Sequence, residues 1–137
     1  MTDEQEKKRA WLRRAKTIEK YVHALNEKVL QYDELKKSLL IFDDLDSEKI
    51  VQKLEQSVQE QQQKIEELLN ALEKIQDAIF QVYDDVLGAI LTRHYLLYET
   101  IDTIAENLHY DRRWIQKKHL KALDKIVMHK VKGESAE

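Results

Sequence analysis

Four side chains near the C-terminal end of this 137-residue chain could read the edges of nucleic-acid bases: Arg112, Arg113, Gln116 and Lys117. On a helix, residues three and four apart share a face, so this spacing gathers their donors on one side. Arg and Lys match the O6/N7 acceptor pair of guanine, and the Gln amide matches N6/N7 of adenine. Lys118, Lys121 and Lys125 follow on the same stretch and suit phosphate contact, which needs charge rather than geometry. From Arg112 to Lys132 eight basic residues stand against one acid, Asp124, a net charge of +7. The whole chain carries −3 and residues 133–137 carry −2, which leaves −8 on residues 1–111. An acidic protein with a basic final helix has the electrostatic footprint of a polyanion binder.

Other chemistries find no support. The chain has no Cys and no Pro, and its only glycines are Gly88 and Gly133. That excludes thiolate metal sites, a Cys nucleophile and disulfides, as well as Gly-rich phosphate loops and dinucleotide fingerprints. His94, His109, His119 and His129 show no His-x-x-x-His step, so neither a metal set nor any other cofactor is expected. Asp84 and Asp85 are adjacent and point to different sides of a helix, so they are expected to cap one rather than act as an acid pair. No enzyme is expected.

The elements that must position the basic residues are short. Residues 101–108 form an amphipathic segment with Thr100 at its N-cap; His109-Tyr110-Asp111 reads as a tight turn; Asp111 caps a helix over 112–130. The core of this helix-turn-helix is expected to be Ile104, Ala105, Leu108, Tyr110 and Ile115. Ala105 allows a close crossing, and Tyr110 fills the turn. Trp114 is expected to pack between the basic helix and Tyr95 or Tyr98. His119 either reaches phosphate or a base edge, or stands exposed. A preceding helix starts at Asp84 or Asp85 and runs through Leu87, Ile90, Leu91 and Tyr95.

The rest of the chain has the pattern of long paired helices. Trp11, Ala15, Ile18, Val22, Leu25, Val29 and Tyr32 alternate steps of four and three, which is a heptad seam. A second seam comprises Ile65, Leu68, Leu72, Ile75, Ile79 and Val82, continuing to Val86. A turn over 43–46, with Asp46 or Ser47 as the next cap, separates helices expected over 3–41 and 47–83. Scarce turn residues argue against any sheet. The expected fold is all-α: a long antiparallel helical hairpin or coiled coil over 1–83, a helix-turn-helix domain over 84–132, and a disordered tail over 133–137. Leu69, Phe80 and Tyr83 are left without partners, so a second copy is expected to pack on the 65–82 seam as a homo-dimer or higher oligomer. No apolar run approaches about 18 residues, so no membrane span is expected.

Residues 104–115, Ile-Ala-Glu-Asn-Leu-His-Tyr-Asp-Arg-Arg-Trp-Ile, together with Lys121-Ala122-Leu123-Asp124-Lys125-Ile126, resemble region 4 of bacterial sigma factors. Ile90-Leu91-Thr92-Arg93-His94-Tyr95-Leu96 resembles the helix that precedes the motif there. The closer similarity, over about residues 85–128, is to phage and prophage transcriptional regulators of the RinA and ArpU type, which share the step seen here as Arg113-Trp114-Ile115 and His119. This chain has His109 where many such motifs have Gly, and Asp111 where Ser is usual. The resemblance implies a sequence-specific double-stranded DNA-binding regulator of phage or mobile-element genes, late ones in that family's manner, acting in the cytoplasm of a bacterial host with host RNA polymerase as a candidate partner. Two other classes fit the same pattern: a coiled-coil adaptor with a vestigial helix-turn-helix, and a small terminase-like DNA-packaging subunit.

Overall fold

A computed structural model describes residues 1–42 and 44–128. The protein is all-α, 84% helical, with no strand among the described residues. The helices are α1 (Asp3–Leu39), α2 (Leu45–Phe80), α3 (Asp85–Leu91), α4 (Ile101–Leu108) and α5 (Arg112–Lys125). The chain forms two compact units: residues 18–70, and residues 1–17 together with 71 onward.

In the unit of residues 18–70, α1 and α2 meet side by side. Lys36 Nζ lies 3.2 Å from Glu55, and Tyr32 shares a groove with Leu54 and Val58. Val22, Leu25, Val29, Leu54, Val58, Ile65 and Leu68 are only half-buried, as two helices without a third layer must leave them. The cap of α2 differs from expectation. Asp44, rather than Asp46 or Ser47, accepts a hydrogen bond from the Ser47 amide at 2.7 Å. The helix therefore starts at Leu45, and Ser47 takes the N3 position, where its own amide needs the cap. Around this end Leu40, Ile41, Phe42 and Leu45 stay exposed.

The other unit contains the best-buried core. α3 and α4 both pack on α5. Ile90, Ile104, Ala105 and Ile115 form its centre, with Val86, Ile101, Leu108 and Trp114 packed against them. Leu12 and Ala15 of α1 and Leu72, Ile75 and Ile79 of α2 are also buried in this unit. Burying each large aliphatic side chain contributes roughly 1.5–3 kcal/mol. Two expectations are corrected here. The compact units do not divide at residue 83, because the ends of both long helices belong with α3–α5. Leu72, Ile75 and Ile79 do not form a surface for a second copy, because a single chain already covers them to 7%, 1% and 1% exposure. Leu69, Phe80 and Tyr83 remain exposed.

Asp84 caps α3 by accepting from the Leu87 amide at 2.8 Å. A Cβ on Gly88 would lie 3.3 Å from the Val82 carbonyl, so glycine there lets the α2–α3 link fold tightly over the helix. α3 then widens into a π turn over Thr92–Leu96. The Leu97 amide bonds back five residues to Thr92 O at 3.0 Å. The extra residue shifts the helical register and brings Tyr95 inside, 2% exposed. The 112–130 helix ends earlier than expected, at Lys125, with Ile126 extended and buried. Its expected end at 130 and the tail over 133–137 lie outside the described residues.

Candidate nucleic-acid interface

The site is built on α4, a three-residue link and α5. Thr100 Oγ1 accepts from the Thr103 amide at 3.1 Å and starts α4. Asp111 accepts from the Arg113 amide at 3.1 Å and starts α5. Between them His109 adopts the left-handed conformation, φ 61° and ψ 41°. The Tyr110 amide bonds Ala105 O at 3.0 Å and the His109 amide bonds Glu106 O at 3.3 Å. This is the paired closure that ends helices at a residue with positive φ. Glycine is the usual occupant; His is among the few side chains enriched there.

Ile115, His119, Ala122 and Leu123 turn one face of α5 inward. At 3.6 residues per turn the opposite face carries Arg113, Lys117 and Lys121, four residues apart and all exposed. Gln116 is exposed beside them. Lys118 and Lys125 lie toward α3, where they line a 480 Å³ cavity with Asp84 and Asp124; Lys121 reaches the edge of the same cavity. Lys118 Nζ sits 5.2 Å from the centre of the Trp114 ring. Arg112 is exposed but already engaged: its guanidinium forms an ion pair with Asp102 of α4. Arg113 and Lys117 are therefore the cations that stand ready at the start of α5, whereas Arg112 must leave Asp102 to reach another acceptor.

Of the expected core residues, Ile104, Ala105 and Ile115 are buried and Leu108 is half-buried. Tyr110 is not in the core. It is 46% exposed and its ring stacks on Trp114, centroids 4.1 Å apart. The left-handed residue before it turns the side chain outward along α5. Trp114 thus packs on Tyr110, under Lys118 and against the core of Ile90, Ile104, Ala105 and Ile115.

His119 is neither exposed nor aimed at solvent. It is 7% exposed, and its Nε2 lies 2.6 Å from Tyr95 Oη. Burial pushes the Tyr95 phenol well above its ordinary pKa, so Tyr95 donates and neutral His119 accepts. Burial, and then His94, Arg9 and Arg13, push the imidazole of His119 down to about 4. The His94 ring meets His119 edge-on at 5.1 Å, and its Nδ1–H donates to Glu99 O at 2.8 Å. Burial also lowers His94, opposed by that bond and aided by Arg13 and Arg9. The buried His119 imidazole, the half-buried His94 ring and the Tyr95 phenol thus brace α5 from behind.

The first turns of α1 hold α5 from its other end. The Gln5 amide donates to Leu120 O at 3.2 Å and to Asp124 Oδ1 at 3.0 Å. Lys8 Nζ reaches Asp124 O at 3.4 Å. Sequence reasoning missed this clamp. The available signal was local: residues 7–18 hold six basic side chains and no acid, which the net −8 of residues 1–111 conceals. No group of three or more His, Asp or Glu side chains that could hold a metal ion occurs among the described residues. No helix among them is long and apolar enough to cross a membrane. The chain matches no family model, no curated protein and no solved structure with which it was compared.

Proposed function

We propose that the protein binds double-stranded DNA through α4 and α5, acting as a helix-turn-helix whose second helix enters the major groove. The observation that carries this reading is the face of α5. Arg113, Lys117 and Lys121 project at four-residue intervals from the side opposite Ile115, His119 and Leu123. A basic face on a helix braced from behind is what base-edge contact requires. Arg113, Gln116 and Lys117 would read bases, joined by Arg112 once it leaves Asp102. Lys118, Lys121 and Lys125 would meet phosphates. No catalytic role is proposed.

The resemblance to sigma region 4 and to RinA- and ArpU-type regulators supports transcriptional regulation in a phage or mobile element, within a bacterial cell. The paired long helices would form the hairpin or coiled-coil part of the molecule. A partner, whether a second copy or RNA polymerase, would meet surfaces other than Leu72, Ile75 and Ile79. The adaptor reading draws on the exposed Leu40, Ile41, Phe42 and Leu45, which form an apolar end on an acidic unit.

The test is selection of bound sequences from a random duplex pool, followed by affinity measurement over a range of salt. A selected motif that the parent binds, and that Arg112→Ala/Arg113→Ala/Lys117→Ala loses while remaining folded, supports the reading. A folded triple variant with the parent's affinity and sequence preference ends it in favour of the adaptor.

A further inference from the structure

A second basic feature lies at the other end of α4. Arg13, Lys16 and Thr17 of α1 and Tyr95, Tyr98 and Thr100 line a cavity of 300 Å³, together with His94 and Glu99. The charge around it is one-sided. Arg13 and Lys16 are exposed and belong to no ion pair among the described residues. The one carboxylate, Glu99, is already taken up: Arg93 Nη1 lies 3.0 and 3.2 Å from its two oxygens, and Asn107 donates to it at 2.9 Å. Lys16 Nζ is held near the cavity wall, 5.6 Å from the centre of the Tyr98 ring. His94, on the same wall, is lowered by burial and also by Arg13 and Arg9. The cavity opens beside the first turn of α4, whose amide dipoles add to the same sign.

We propose that this cavity is a phosphate site, with Arg13 and Lys16 supplying the charge, and that in the DNA complex a backbone phosphate occupies it. The connection to α5 is short. Thr100 lines the cavity and caps α4, and two residues later Asp102 holds Arg112 at the start of α5. A strand reaching Arg112 at the start of α5 would thus pass near the end of α4 on which the cavity opens. The second half of the proposal rests on the DNA-binding reading; the phosphate site itself does not.

The experiment uses the full chain. Amide resonances are followed while inorganic phosphate is added, with chloride at matched ionic strength as control, for the parent and for Arg13→Ala/Lys16→Ala. Both replaced side chains are exposed, so the variant should melt as the parent does. Phosphate-specific shifts at Thr17, Thr100 and Ile101 that vanish in the variant support the site. Their absence in the parent overturns it. The second arm measures duplex affinity against salt. Losing one phosphate contact should lower the slope of log affinity against log salt by about 1. A lowered slope supports a backbone phosphate; an unchanged slope with intact phosphate shifts rejects the DNA half and assigns the site to free phosphate or phosphate-bearing small molecules. If the parent binds no duplex, the DNA reading fails while the phosphate titration still decides the site.

Discussion

Acidification should destabilise the protein through His119, in a window set by its burial. The folded-state pKa is pushed down to about 4, from 6.5 in an unfolded chain. Above pH 6.5 the ring is neutral in both states and contributes no pH dependence. Below it the unfolded chain takes up a proton that the folded one refuses, so stability falls as the pH drops from 6.5 towards 4. The slope is about 1.4 kcal/mol per pH unit, which amounts to roughly 2 kcal/mol lost on going from about pH 7 to about pH 5. The assay is urea denaturation at both pH values for the parent and for His119→Gln. The glutamine amide can still bond Tyr95 Oη but does not titrate. All other groups are common to both proteins, so the difference between the two losses isolates His119. Equal losses in the two proteins would refute the reasoning, as would an NMR titration that places His119 near 6.5 in the folded state.

Three further outcomes are expected. His109→Gly should stabilise the fold by about 1 kcal/mol, because a left-handed residue with a Cβ carries a penalty of roughly 1–2 kcal/mol that exceeds the extra entropy glycine loses; a lowered melting temperature would contradict the turn geometry. Ile75→Asp should unfold the unit of 1–17 and 71 onward rather than release a second copy, since its site is 1% exposed in the single chain; circular dichroism and sedimentation separate the two, and a folded, dissociated variant would restore the oligomer seam. Gln5→Ala removes two bonds to α5 and should lower stability by roughly 1–2 kcal/mol, read by thermal melting; no change would mean the clamp contributes nothing.

What could be read from the sequence was what is local. Thr100 and Asp111 were legible as caps, and Asp84 as one of two candidates beside Asp85, because each bonds an amide two or three residues away. The inward face of Ile104, Ala105 and Ile115 followed from helical period alone. Asp44 was missed because four acidic or hydroxyl residues crowd positions 43–47, and any of several could cap. Trp11 was placed on the seam, whereas Leu12 is the residue buried to 0%; the following seam residues Ala15 and Ile18 are buried as expected, so only the first position is displaced. His119 could not be placed, since its partner Tyr95 lies 24 residues away on a turn whose wider pitch breaks the periodicity. A heptad also does not say whether its partner lies in the same chain. For Leu72, Ile75 and Ile79 it does.

The stitch between Gln5 and α5 also sets an order of events in time. Its two ends lie 119 residues apart, so Gln5 must wait until the residues of α5 have been made before it can dock. Meanwhile α1 and α2, joined by a short turn, can close on each other with little loop entropy. The apolar side chains of Leu12, Ala15, Leu72 and Ile75 stay open to water in that interval, as contacts of high sequence separation form late. Pulse-labelled exchange during refolding should find amides of residues 18–70 protected before those of α5; the reverse order would show that α3–α5 assemble without their N-terminal brace.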